Sequence, residues 1–260
     1  MSPAPGIPLS QILQGQTVDN LWGAAFLGLL AACMLYGITT LQTYNYFSNY
    51  PNDPKKFKLL AMVVWILDTT SLALVVTAMY GYLITDMNNP LERIKVNRTL
   101  DLDPAIMGIL AFLTHWYLGN RVWIVCNRSL IIAAILTLLS VTSLSLALTS
   151  AIVSFKFELW TEKADMRPLA LAGTALVVAL DGLIASILCV YLLKQRTTGK
   201  RLRRLVRRII IFAVNTGLAT SILSIVNVVT FVALPNTMIF LGTNFIFTKG
   251  SKQLLPLPPA

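Results

Sequence analysis

The chain has 260 residues, of which 56% are hydrophobic and 12% charged, and its formal net charge is +10. A soluble domain carries about 25% charged residues, so this chain lacks the polar surface to cover a water-soluble globule of its length. Its positive charges fall between long apolar runs, which speaks against nucleic acid as the partner and for orientation in a lipid bilayer.

A spanning helix needs about 20 mostly apolar residues, whereas barrel strands would be about 10 residues of alternating polarity. The runs here are of the first kind. Residues 1–20 contain no Lys or Arg and no short apolar core with a cleavage site, so they do not read as a signal peptide. They are expected outside the membrane, and the first long run is expected to do the targeting. Predicted helices cover about 21–46, 59–85, 104–126, 129–155, 168–193, 209–234 and 237–247. The breaks have turn chemistry: Pro51-Asn52-Asp53-Pro54, then Asn88-Asn89-Pro90. Asp103-Pro104 and Arg167-Pro168 each place proline at an expected helix start. The expected fold is all-α, an integral membrane bundle of seven helices over 21–247, followed by a cytosolic tail over 248–260. The seventh helix is short.

Alternate loops differ in basic charge. One side collects 15 Lys and Arg residues, at Lys55 to Lys58, Arg121, Arg128, Lys194 to Arg208, Lys249 and Lys252, against 6 on the other. The richer side is expected to be cytosolic, with the N-terminus outside and the C-terminus inside. Two sequons test this. Asn97-Arg98-Thr99 falls in an outer loop and Asn127-Arg128-Ser129 in an inner one, so a glycoprotein should carry sugar on Asn97 alone.

Ionisable residues inside the hydrocarbon are costly and so are candidates for function. Asp68 lies near the middle of the second run and Asp181 near the middle of the fifth. Each is expected to face the bundle interior with Ser, Thr or Asn partners, as a ligand, ion or proton site or else as a plain latch between helices. His115 and Arg121 lie on the third run. Arg121 can snorkel to the headgroups or make a gating contact, and His115 can bridge helices or respond to pH. Asn215 and Asn227 on the sixth run are about 120° apart around a helix, which reads as glue between helices. Lys200, Arg201, Arg203, Arg204, Arg207 and Arg208 oppose Leu202, Leu205, Val206 and Ile209 at helical spacing. This basic amphipathic segment suits anionic lipid headgroups, or a cytosolic partner protein.

Cys33, Cys126 and Cys189 lie in or at the ends of apolar runs, read as packing residues; Cys126 and Cys189 are alternatively sites for palmitoylation. One histidine cannot build a multi-histidine metal box, and no cysteine pair has zinc spacing. No Gly-rich phosphate loop and no Ser/His/Asp set is visible. The expectation is therefore a protein that is not an enzyme, without metal or cofactor.

Several segments recur in order in a known family. They are Leu35-Tyr36-Gly37 with Gln42-Thr43-Tyr44, Leu67-Asp68-Thr69, and His115-Trp116-Tyr117 with Arg121-Val122-Trp123. The best stretch is Arg203-Arg204-Leu205-Val206-Arg207-Arg208, then Asn215-Thr216-Gly217, then Phe231-Val232-Ala233-Leu234-Pro235-Asn236-Thr237. From about Trp22 to Lys249 the chain resembles an uncharacterised multi-pass membrane family of mushroom-forming fungi, the domain of unknown function 6534. The resemblance implies seven helices in a fungal membrane protein and gives no function. One departure stands out. In that family the seventh helix continues past the position of Lys249 through a polar segment, whereas here Gly250-Ser251-Lys252 and a Leu/Pro-rich end follow. That difference suggests an altered gene model or splice product.

The leading functional expectation is a receptor-like protein of the plasma membrane that senses a small lipophilic molecule through two helix packings. Against it, Gly119-Asn120-Arg121 is not the acidic-Arg-aromatic motif of the rhodopsin-like class. The alternatives are a transporter or channel using Asp68 and Asp181, and a non-catalytic membrane scaffold.

Overall fold

The computed structural model describes residues 22–86, 95–126, 129–160, 163, 166–194, 222–230 and 239–250. These residues form helices, with one isolated antiparallel bridge, Lys95 to Leu159. Helix α1 is Ala24–Asn49, and α2 is Lys55–Tyr80, which continues through a π turn, Gly81–Thr85. Helix α3 is Arg98–Val125, α4 is Leu130–Ser154 and α5 is Arg167–Lys194. Residues 222–230 are helical, and α6 is Ile239–Gly250.

Four helices are long and apolar enough to cross a bilayer: Ala24–Asn49, Lys55–Thr85, Leu130–Ser154 and Pro168–Ile187. Their outer faces fit that solvent. Leu130, Ile131 and Met34 are about three-quarters exposed (75%, 74% and 74%), while Asp68, Asp101, His115 and Lys249 are buried. Apolar outside and charged inside is the reverse of a water-soluble domain, where Asp and Lys are almost never fully buried. The chain is accordingly a membrane protein. Hydroxyls on these helices are satisfied locally: Thr70, Thr77, Thr137 and Thr149 each donate to the carbonyl four residues earlier. A hydroxyl spent this way can face lipid without leaving an unpaired donor.

The α1–α2 turn is built by its own residues. Pro54 is the N-cap of α2, in an extended conformation (φ −53°, ψ 133°). Lys58 donates to the Pro51 carbonyl at 2.5 Å, and the Tyr46 hydroxyl donates to Asp53 at 3.1 Å. Helix α2 thus starts at Lys55, four residues before the predicted start at 59.

The larger departure is at α3. Proline at 104 was expected to open this helix, yet the helix begins at Arg98 and holds Pro104 in its interior. Asn97 is the reason. Its side-chain oxygen accepts from the Thr99 amide at 3.1 Å and from the Thr99 hydroxyl at 2.8 Å, which caps the helix six residues earlier. Asp101 falls in the first turn, where a carboxylate is favourable to the helix dipole.

Helix α3 is central and packs on α2, α4 and α5, while α1 lies between α2 and α6. Two close approaches set these contacts. Gly28 of α1 meets the backbone of Gly242 in α6, and Gly108 of α3 meets the Ala147 side chain in α4. The apolar core is divided. One cluster joins α1, α2, α3 and α6 through Trp22, Leu29, Val75, Met79, Tyr82, Leu100, Leu241 and Phe245. The other joins α3, α4 and α5 through Val122, Cys126, Leu136, Leu180 and Ile184. Leu100 and Val122 are roughly 33 Å apart along α3, so the clusters occupy opposite ends of the bundle. Leu110 and His115 of α3 are buried between them.

Candidate functional site

Charged side chains are buried in pairs between helices. The Lys249 ammonium lies 2.6 Å from an Asp68 carboxylate oxygen and 2.8 Å from the Asp68 backbone carbonyl, with both side chains at most 4% exposed. This pair ties α6 to α2. The ammonium also sits 5.9 Å from the centre of the Tyr36 ring on α1, and the Tyr36 hydroxyl shares a 2.8 Å hydrogen bond with Thr69. Three helices therefore meet around one cation.

Asp68 faces the interior, as expected, but its charged partner was not among the hydroxyls and amides anticipated. Lys249 looked like an inner-loop charge just past the seventh run. The structure extends α6 through Gly250 and buries Lys249 inside the bundle, because Asp68 on α2 is there to neutralise it. The inner-side charge count loses one residue accordingly.

The second pair joins α3 to α5. His115 Nε2 lies 3.1 Å from Asp181, with side-chain exposures of 2% and 15%. Nδ1 of the same ring is buried and has no hydrogen-bond partner among the described residues. The contact links α3 to α5 through polar side chains within the bundle, the geometry of a latch between helices.

The third group lies where α3 begins. Asp101 is fully buried. One carboxylate oxygen accepts a short hydrogen bond from Ser154 and a 2.7 Å bond from the Lys163 ammonium. Arg98 stands 3.9 Å from the other oxygen and donates to the Phe155 carbonyl at 2.6 Å. Two residues on, Ser71 donates to Asp103 at 2.7 Å, bridging α2 and α3. Burial pushes the Lys163 ammonium below the ordinary lysine range, against the smaller opposing effect of Asp101. Sequence reasoning missed Asp101, Asp103 and Lys163 because they fall outside the apolar runs. The available signal was Asn97 with Thr99, a cap that moves the helix start upstream.

The remaining candidates divide. The Asn227 side-chain oxygen accepts from Thr243 of α6 at 3.1 Å, a bond between helices as expected of glue. Arg121 is on α3, but its side chain lies outside the described residues, as do Asn215, Asn127 and the whole basic segment Lys200, Arg201, Arg203, Arg204, Arg207 and Arg208. Asn97 is partly buried, and its amide nitrogen lies against Gly81. The cysteines are free thiols; Cys126 is buried and Cys189 half-buried. Among the described residues, no three His, Cys, Asp or Glu side chains converge on a metal position.

Residues 177–252 match a family of unknown function (DUF6534). The match takes in Asp181, Asn227 and Lys249 and spans less than a third of the chain, a shorter reach than the Trp22 to Lys249 resemblance. No curated protein and no solved structure matches the chain. The chain therefore carries a segment similar to an uncharacterised family within a helical membrane protein.

Proposed function

We propose that this protein is a seven-helix, receptor-like sensor of a small lipophilic molecule in the plasma membrane, with its N-terminus outside, and that it is not an enzyme. The observation that supports this reading is the buried Asp68–Lys249 pair between α2 and α6. In the proposed switch the pair is closed in one helix packing and opened in the other. Closed, each charge neutralises the other; opened, each must find another partner, because an unpaired charge costs several kcal/mol. Beside it, α6 meets α1 at Gly28 and Gly242, where absent side chains let backbones shift against one another. A ligand that prefers one packing moves the balance by its difference in affinity for the two. The basic segment at 200–208 would then meet a cytosolic partner or anionic headgroups.

The His115–Asp181 pair favours a second reading, a transporter or channel that uses intramembrane polar side chains, because it places ionisable groups of α3 and α5 against each other inside the bundle.

One experiment separates these. The protein is placed in lipid nanodiscs with spin labels at Met62 on α2 and Ile246 on α6. Lys249→Met should change the label distance without ligand if the pair holds one of two packings. An unchanged distance in both Lys249→Met and Asp68→Asn would sink the receptor reading. Solute flux in liposomes, lost in Asp181→Asn, would establish the transporter or channel instead.

A further inference from the structure

The segment 155–160 leaves α4 and crosses the end of the bundle where α3 begins. Residues on either side of it are fastened to one atom. The Ser154 hydroxyl and the Lys163 ammonium both bond the same oxygen of Asp101, a side chain with no exposure. Between these fixings the segment is tied to the residues that open α3. The Val96 amide donates to the Glu158 carbonyl at 2.8 Å, and Leu159 pairs with Lys95 in an antiparallel bridge. Arg98 donates to the Phe155 carbonyl at 2.6 Å. Its guanidinium also stands 3.9 Å from the exposed Glu158 carboxylate, a contact that solvent weakens.

Trp160 is what the segment carries inward. Its ring meets Phe240 of α6 edge-on at 6.3 Å, and both rings pack on the cluster that joins α1, α2, α3 and α6. The Lys163 ammonium stands 5.1 Å from the centre of the same indole ring, so the charge that reaches Asp101 also bears on Trp160. Farther along α6, Gly242 crosses α1 at Gly28, and Lys249 reaches Asp68. Phe240 precedes that crossing, so a hold on Phe240 is a hold on the end of α6 remote from Lys249.

We infer that the segment 155–160, buckled onto Asp101 by Ser154 and Lys163, is a strap that clamps the start of α6 against α3 and restrains its movement. The buckle is selective. Its ends meet at a buried carboxylate, and losing Lys163 leaves that charge with the more distant Arg98 as its remaining cation among the described residues. Trp160 is then fixed by packing without the charge beside it. This regulation rests on the receptor reading, whose shift of α6 is the movement restrained.

The test uses the full chain in phosphatidylcholine nanodiscs. Spin labels sit on ketone-bearing residues at Leu102 of α3 and Ile239 of α6, which leaves cysteine chemistry for a cross-link. Lys163→Met opens the buckle, and Trp160→Ala removes the grip on Phe240. Each is expected to broaden the Leu102–Ile239 distance and to shift it by about 1–2 Å, the scale of helix movements at packed interfaces. The cross-link supplies the converse. The Val96 bond to Glu158 makes Lys95 and Leu159 a non-hydrogen-bonded antiparallel pair, with Cα atoms about 4.5 Å apart and within reach of a disulfide. In Lys163→Met carrying Lys95→Cys and Leu159→Cys, oxidation should return the distance to its wild-type value, and reduction should release it again. An unaltered distance in either folded variant, or a change that the disulfide leaves in place, would overturn the strap. The Met62–Ile246 distance in Lys249→Met, read without the cross-link, tests the switch separately. A strap that behaves as expected beside an unmoved Met62–Ile246 distance upholds the clamp and sinks the switch. The reverse pairing sinks the clamp alone.

Discussion

A lysine and an aspartate facing each other in an apolar interior are worth little as an attraction and much as a mutual dependence. Taking both from water is costly, and the pair mainly offsets that cost. Removing one partner of Asp68–Lys249 should therefore destabilise the protein by about 3–5 kcal/mol. Asp68→Asn and Lys249→Met are each expected to lower the thermal midpoint in detergent, and the double variant should be more stable than either single one. A double variant as unstable as the sum of the two would mean the residues act independently. At Lys163 burial lowers the pKa. Between that lowered value and the unfolded value near 10.4, the folded chain has released a proton that the unfolded chain keeps. Stability should thus gain from this group as pH rises through that window. Replacing Lys163 by Met should remove the gain, as read from thermal midpoints at alkaline pH.

At the scale of elements, the joints between helices are made by glycine and by caps. A Cβ on Gly242 would overlap the Ala24 carbonyl, and one on Gly28 would overlap the Gly242 backbone. Neither obstacle is a side chain that can rotate away. Gly242→Ala should push α6 off α1 and cost roughly 1–3 kcal/mol, the usual price of overpacking. It should also lengthen the reach from Lys249 to Asp68, so the Met62–Ile246 distance should change in the same direction as in Lys249→Met. A Gly242→Ala protein with unaltered midpoint and distance would show that the crossing is looser than its geometry. Helix α3 owes its early start to Asn97, and Asn97→Ala should cost about 1 kcal/mol. That cap also bears on glycosylation, since the amide nitrogen that would carry sugar lies against Gly81.

For the whole molecule, the excess of basic residues on one side assigns that end to the cytosol in the proposed orientation. Lys156 is exposed just after α4, and Lys56 is exposed in the first turn of α2, at the opposite end of the bundle. With the N-terminus outside, Lys156→Cys should react with a membrane-impermeant maleimide on intact cells, and Lys56→Cys should react only after permeabilisation. The opposite pattern would invert the orientation. This test is independent of Asn97, which serves α3 as a cap.

Run length and polarity were enough to read α1, α2, α4 and α5 from the sequence, because a helix in lipid must bond its own backbone and cover itself with apolar side chains over a fixed length. Asp68, His115 and Asp181 were legible as interior candidates for the same reason: a charge inside an apolar run has nowhere cheap to go but inward. Their pairing was not legible. Asp68 and Lys249 are 181 residues apart, and nothing local to either names the other. Lys249 resembled a loop charge until α6 was seen to bring it beside α2, and Asp101 and Asp103 resembled loop acids until Asn97 capped α3 ahead of them. Local chemistry determined which segments are helices and which solvent they need. The partner of each buried charge depended on how those helices cross, a property of backbone approaches such as Gly28 on Gly242 that only the tertiary structure decides.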